Sequence, residues 1–178
     1  LVFVEILRGD GQRWPLSFDL PLYLQLRDGA AATIDLAAAS GMSHRFSLPG
    51  AVDRDAEPVA AGEVSGNYFS VLGISAHLGR TLSAADDSPA NPNPVVVVSH
   101  AFWRSRLGAD PGIVGQTVLL DGNAFTVVGV TAADFPGLDA LNATALWFPM
   151  HMVPRLGLDQ PIGSSGLRLI GRVRPDAT

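Results

Sequence analysis

The chain has 178 residues and a net charge of −5; 47% of its residues are hydrophobic and 16% are charged. This length can bury a real core, and 19 glycines with 13 prolines fit a turn-rich α+β fold better than a helical bundle. All 12 basic residues are arginines, and no cysteine is present. The composition therefore excludes P-loop and Schiff-base lysines, thiolate nucleophiles and cysteine-held metals, and the scattered arginines argue against a nucleic-acid partner.

The apolar runs of the chain are short. Val95 to Val98 is typical of them, and a run of about 20 apolar residues is needed to span a bilayer. The chain does not begin with Met and stops at Asp176-Ala177-Thr178 without an evident closing element. We therefore expect an excised fragment, residues 1–178, that forms a single domain without its flanking segments.

Capping residues predict three helices. The first is expected from Leu20 to Arg27, with Asp19 as its N-cap and Gly29 as its stop. The other two are a short helix through Tyr68, Phe69 and Leu72, capped by Ser65 and Asn67 and ended by Gly73, and a helix after Ser99 that contains Phe102, Trp103 and Leu107.

Strands are predicted from apolar segments bounded by turn residues. Asp121-Gly122 is typical of a tight type I′ turn and predicts a hairpin, and the four valines from Val95 to Val98 predict a strand buried on both faces. A break near Ser40-Gly41 and loops over Pro49 to Pro58 and Leu82 to Pro94 are also expected. The predicted strands are Thr33 to Ala39, His44 to Leu48, Val59 to Val64, Val95 to Val98, Thr117 to Leu120, Ala124 to Val130, Leu146 to Pro149 and Leu167 to Val173.

One composite motif carries a family resemblance. The segment Val64-Ser65-Gly66-Asn67-Tyr68-Phe69-Ser70-Val71-Leu72-Gly73, with Leu78-Gly79-Arg80-Thr81-Leu82 after it, resembles a signature of MacB-like periplasmic core domains. The likeness is best over about residues 59–138 and weaker at 17–27 and 146–175. It implies an α+β fold in which short helices pack on a mixed β-sheet, with two intimate subdomains.

The resemblance also implies a function. The parent would be a permease of the MacB/FtsX type, dimeric, set in the bacterial inner membrane, and partnered with a cytoplasmic ABC ATPase that is either separate or fused. This domain would lie on the periplasmic face and couple ATP-driven motion of the membrane helices to cargo or to another exported protein, such as a periplasmic adaptor. Two alternatives stay open: a regulatory outer domain of a non-transporting FtsX-like protein, and a free-standing exported binding domain or hydrolase.

The positions that match the family motif are expected to build the scaffold. Glycines among them are predicted at turns or at close backbone approaches, and the aromatic residues are predicted to fill the core. The alternative is that some of them form a surface that contacts a partner. The matching positions are Gly66, Asn67, Tyr68, Phe69, Leu72, Gly73, Gly79, Arg80, Phe102, Trp103, Gly108, Asp110, Pro111, Gly115, Gly122, Val128 and Gly129.

Sequence patterns of catalysis and metal binding are weak in this chain. The four histidines show no pair at helical spacing, so no local metal cage is predicted. Asp86 and Asp87 could offer oxygen ligands to Ca²⁺, but they lack the regular spacing of a dedicated loop, and a solvated loop or helix cap is expected instead. A nucleophile elbow with the spacing Gly-x-Ser-x-Gly is missing as well. We therefore predict no catalytic, metal or cofactor-binding residue, and no enzymatic activity.

Overall fold

The computed structural model describes residues 1–4, 18–51, 56–138, 143–158 and 160–175. The strands are β1 (Val2–Phe3), β2 (Ile34–Ser47), β3 (Glu57–Val64), β4 (Ala76–Gly79), β5 (Val95–Val98), β6 (Thr117–Leu120), β7 (Asn123–Thr131), β8 (Leu146–Pro149) and β9 (Arg168–Val173). The helices are α1 (Leu20–Ala30), α2 (Tyr68–Leu72) and α3 (His100–Arg106), with 3₁₀ helices at Pro111–Ile113 and Met150–Arg155.

The strands form one mixed sheet in the order β1-β9-β2-β3-β8-β5-β7-β4, and β6 pairs with β2 and β7. The pairs β3–β8 and β5–β7 are parallel, and the other pairs are antiparallel. The predicted α+β fold with short helices on a mixed sheet is therefore confirmed. The expectation of two intimate subdomains stays a prediction.

The longest strand, β2, corrects a predicted boundary. The sequence predicted two strands joined near Ser40-Gly41, but β2 runs without a break through both residues. The reason is tertiary: Ala39 to Phe46 pair with β3, while Ile34 to Ala39 pair with β9 on the other side. Ser40 and Gly41 themselves pair with Glu63 and Gly62 of β3, and these ladder hydrogen bonds outweigh the weak strand preference of a glycine.

The helices follow their predicted caps in part. Asp19 accepts a hydrogen bond from the Leu22 backbone N–H at 2.8 Å, as an N-cap should, but α1 continues through Gly29 to Ala30 and the predicted stop was wrong. Ser99 caps α3 by accepting from the Phe102 N–H. The strand β4 was not predicted because its sequence, Ala-His-Leu-Gly, has no β-branched residue and ends in glycine.

The hairpin and the buried valine strand agree with their predictions. Asp121 and Gly122 have φ values of +48° and +77°, which suits a type I′ turn between β6 and β7. The side chains from Val96 to Val98 are fully buried in β5, between β8 and β7. The predicted loop from Pro49 to Pro58 includes residues 52–55, which lie outside the described residues, and β3 begins at Glu57.

Hydrophobic residues pack on both faces of the sheet. Leu36 and Ala38 of β2 belong to a cluster that covers one face, and Ala37 and Ala39 belong to a cluster on the other. A third cluster surrounds Phe148 and continues along β5 to β7. Within the described ranges, no helix is both long and apolar enough to cross a bilayer.

Candidate functional site

The turn before α2 is the centre of the longest family motif. The Ser65 hydroxyl accepts a hydrogen bond from the Ala38 N–H at 3.0 Å and donates to the side-chain oxygen Oδ1 of Asn67 at 2.8 Å. The Asn67 side-chain amide donates to the Leu36 carbonyl at 2.9 Å. The predicted role of Ser65 and Asn67 as side-chain caps of α2 is therefore wrong, since both side chains instead tie the turn to β2.

Gly66 places this turn directly against the loop that follows β4. Its N–H donates to the Asp87 carboxylate at 3.0 Å, and a Cβ added at Gly66 would lie 2.5 Å from the Ser83 carbonyl oxygen and 2.8 Å from the Ala84 Cα. No larger residue fits there without moving the loop. The predicted close backbone approach at Gly66 is thus confirmed.

Asp86 organises the same loop from inside. Its side chain is 2% exposed, and the Arg80 guanidinium binds it with both terminal nitrogens, at 2.6 and 2.9 Å. The Ser83 N–H and hydroxyl also donate to it, and so does the Asn93 amide. The expected solvated loop is therefore wrong for Asp86, and a Ca²⁺ ion there would have to displace the guanidinium.

The protonation of Asp86 follows from these contacts. Burial alone would raise the pKa of the carboxyl, but the donors around it, with Arg80 first, hold the pKa of Asp86 well below its usual range. The pair is charged at neutral pH, because arginine does not titrate there.

Asp87 joins the turn to a distant segment. Its carboxylate accepts from the His151 backbone N–H at 3.0 Å, and the His151 Nδ1 atom lies 3.0 Å from the same oxygen. A pocket of about 410 Å³ opens beside this contact. Its lining includes Tyr23, Arg27, Asn67, Asp87, Pro89 and His151. We call the turn 65–67, the loop 80–87 and His151 the motif junction.

A second group of family-motif residues surrounds Trp103. The indole N–H donates to the Asp110 carbonyl at 2.9 Å, and the Asp110 carboxylate caps the following 3₁₀ helix by accepting from the Gly112 N–H at 2.8 Å. Phe102 makes an edge-on ring contact with Phe46 at 5.1 Å. Trp103 is 8% exposed. This burial favours the scaffold interpretation of the aromatic motif positions.

The remaining motif positions lie along β7 and its neighbours. A Cβ added at Gly129 would lie 2.1 Å from the Arg80 carbonyl oxygen, and the Val128 carbonyl accepts from the Arg80 N–H at 2.9 Å. Tyr68 and Phe69 are buried in the core, and Phe69 contacts the Trp147 ring. The exposed motif positions at turns or element ends are Gly73, Gly79, Gly108, Pro111, Gly115 and Gly122, and Leu72 is partly buried in α2.

The structure thus brings Gly66, Asn67 and Arg80 together in the motif junction and leaves the Trp103 group apart from it. Sequence reasoning missed the junction's other partners. Asp86 and Asp87 stand out in the sequence as possible oxygen ligands. The feature that indicates a structural role for them is Arg80, six residues before Asp86 at the start of a proline-rich loop. His151 carries no local signal, since it lies 64 residues from Asp87.

Known proteins identify the family. The family model described as the MacB-like periplasmic core domain matches residues 1–178. A search of curated protein sequences gives no significant match.

Two solved structures share the fold. The periplasmic region of MacB from Actinobacillus actinomycetemcomitans has a TM-score of 0.68 at 17% identity, over 99% of this chain and 74% of that one. The extracellular domain of the noncanonic ABC-type transporter YknZ from Gram-positive bacteria has a TM-score of 0.65 at 13% identity, over 98% of this chain and 83% of that one. With the family model matched over the whole chain, this protein belongs to the family of MacB-like periplasmic core domains.

Proposed function

We propose that this domain is the periplasmic part of an ABC-type permease and that it transmits ATP-driven motion of the membrane helices to cargo or to a partner protein. Its family membership supports the permease setting. The coupling role is supported by one observation above the others: a side chain of β9 holds the end of α2, the helix that follows the motif junction.

That side chain is Arg172. Its Nε atom donates to the Val71 carbonyl at 2.7 Å, and its guanidinium lies 2.9 Å from the position that a Cβ on Gly73 would take. A carbonyl in the last turn of α2 is thereby satisfied by a cation, which suits the negative end of a helix. Displacement of β9 would therefore pull on α2.

The sheet supports the same path. β9 pairs with β1 on one side and with β2 on the other. β2 in turn holds the junction, because its Leu36 and Ala38 backbone groups bind the side chains of Asn67 and Ser65. A movement that enters through β1 or β9 thus has two routes to the motif junction, one through β2 and one through α2.

We further propose that the domain acts without chemistry of its own. In a Ser-His-Asp triad the serine nucleophile is activated by a histidine that accepts its proton. Ser40 is next to a buried histidine and carboxylate cluster, but its hydroxyl donates to Glu63 at 2.7 Å and not to His44.

The partners would be the permease helices of the same parent chain, the ABC ATPase, and an exported adaptor or cargo at the junction.

The test uses the full-length parent permease with its ATPase in lipid nanodiscs. Amide hydrogen exchange is measured over residues 65–73 and 80–87 in the nucleotide-free and vanadate-trapped states. We expect trapping to change exchange in both segments, and we expect Arg172→Met to abolish the change in 68–73 because the grip of β9 on α2 is lost.

The matched control is Arg174→Met. Arg174 follows β9 directly and forms an exposed ion pair with Asp35, so its removal leaves the contact with α2 intact. Exchange that is the same in both states of the wild-type protein would refute the coupling role. Equal effects of the two substitutions would refute the path through Arg172.

A further inference from the structure

The centre of the sheet buries a histidine between two carboxylates. His44 lies on β2 with its side chain 1% exposed. Its Nδ1 atom is 2.6 Å from the Asp121 carboxylate, and its Nε2 atom is 3.4 Å from the Glu63 carboxylate. Among the described residues, Nε2 has no aligned hydrogen-bond partner. We call His44, Glu63 and Asp121 the buried ion cluster.

The other groups around His44 come from β3, β8 and β2 itself. β3 contributes Glu63, whose second oxygen accepts from Ser40 at 2.7 Å. β8 contributes the ring of Phe148, which meets the imidazole edge-on at 5.2 Å. On β2 itself, Arg45 places its side chain on the opposite, exposed face, while its N–H donates to Asp121 at 2.9 Å.

Asp121 is the member of this cluster that lies nearest to solvent. It is the first residue of the β6–β7 turn, and its side chain is 15% exposed, whereas that of Glu63 is 2% exposed in mid-strand. Its N–H also donates to the Arg45 carbonyl at 2.8 Å. The tip of the hairpin is therefore held to β2 through both the backbone and the carboxylate of one residue.

We propose that the buried ion cluster is a proton-operated latch: protonated His44 ties the tip of the β6–β7 hairpin to the centre of the sheet, and loss of that proton loosens the tip. With His44 protonated, one positive charge lies between two negative ones. Without the proton, the neutral imidazole can donate to only one of the two carboxylates, and buried Glu63 and partly buried Asp121 share the site with no cation between them, which is unfavourable. Asp121 can reach solvent and Glu63 cannot, so the tip is the part that gives way.

The direction of the pH effect follows from His44. Burial by itself would lower the pKa of the imidazole, but Glu63 and Asp121 outweigh burial and raise the pKa of His44. The folded chain therefore binds this proton more tightly than the unfolded chain does. The latch contributes its full stability below about pH 6.5, the ordinary value for histidine, and loses it as pH rises through the raised pKa.

Opening of the latch would reach beyond the hairpin. Asn123, two residues after Asp121, donates to the Leu156 carbonyl at 3.2 Å and so joins the tip to the segment after the 150–155 helix. His151 of the motif junction is the second residue of that helix. Loss of the His44 proton is therefore expected to affect the segment that carries His151 of the motif junction. This expectation does not depend on whether the domain couples motion.

The test is an NMR titration of this chain between pH 5 and pH 10. We expect the His44 imidazole to titrate above about 6.5. We also expect the Arg45 and Asp121 amides to lose protection from hydrogen exchange at the same pH, after correction for the intrinsic rate. In Asp121→Asn the coupled loss should vanish, because the amide keeps the left-handed turn that asparagine tolerates but carries no charge.

His77→Gln is the matched control, since His77 is exposed on the edge strand β4 and lies outside the cluster. It should leave the pH at which the Arg45 and Asp121 amides lose protection unchanged. A His44 imidazole that titrates at or below about 6.5 would overturn the proposal without need of any variant. So would protection of the two amides that does not change through the titration of His44.

Discussion

Two carboxylates in this domain, Asp86 and Glu63, are almost equally buried but are held by different cations. Asp86 is bound by a guanidinium whose own side chain is half exposed, and the loop around it supplies further donors. Glu63 faces an imidazole that is as buried as the carboxylate. Arginine keeps its proton throughout the physiological range and histidine does not. The ion pair of Asp86 with Arg80 therefore stays charged near neutral pH, whereas the charge on the imidazole that faces Glu63 depends on the pH.

The largest difference should appear when Glu63 is neutralised. Glu63→Gln is expected to lower the free energy of unfolding by about 3 kcal/mol at pH 7, because buried His44 keeps only one of its two carboxylate partners and Ser40 loses a charged acceptor. Urea denaturation followed by circular dichroism measures the loss. Glu57→Gln on the same strand is the control: its ion pair with Arg106 is partly exposed, so we expect less than about 1 kcal/mol. Equal losses would contradict the special cost assigned to the buried ion cluster.

Neutralisation of Asp86 should have a smaller effect and the opposite pH dependence. Asp86→Asn is expected to cost about 2 kcal/mol at pH 7, because hydrogen bonds to a charged group are lost. Its folded pKa is depressed, so its contribution is present above about pH 3.9, the ordinary value, and is lost as pH falls toward the depressed one.

Denaturation at pH 5 and pH 3 tests this sign. The wild-type chain should lose more stability between these two values than Asp86→Asn does. Asp35→Asn, which removes an exposed partner of Arg174, should keep the wild-type acid response. An Asp86→Asn variant with the full acid response would show that other carboxylates cause it.

The smallest effect is expected when Arg80, the exposed partner of Asp86, is replaced. Arg80→Lys keeps the positive charge but cannot bind both carboxylate oxygens in a planar fork, and we expect a loss of about 1 kcal/mol or less. Arg155→Lys is the control, since Arg155 donates a single bond within the described part of the chain, to the Ala90 carbonyl. If Arg80→Lys were as costly as Asp86→Asn, the fork geometry and not the charge would dominate this loop.

The sequence predicted the parts of the fold that depend on neighbouring residues. Asp19 and Ser99 cap their helices, and Asp121-Gly122 forms the expected turn, because each acts on backbone groups within a few positions. The continuity of β2 escaped prediction because it depends on pairing with β3 and β9, strands that lie far along the chain.

The same limit applies to the candidate site. Gly66 could be predicted as a close approach, but its partner loop could not. The sequence indicates no partner for His44, since Glu63 and Asp121 reach it across 19 and 77 residues and share no local pattern with it. Tertiary contacts of this kind determine which polar residues become buried clusters, and nothing in the spacing of one chain indicates them.

The strand β2 has a consequence for the cooperativity of unfolding. Its alternating residues contribute Leu36 and Ala38 to the hydrophobic cluster on one face and Ala37 and Ala39 to the cluster on the other. The two clusters therefore lie on opposite sides of the same single strand. Loss of β2 would expose apolar surface on both faces at once, so any unfolding event that removes β2 disrupts both clusters together.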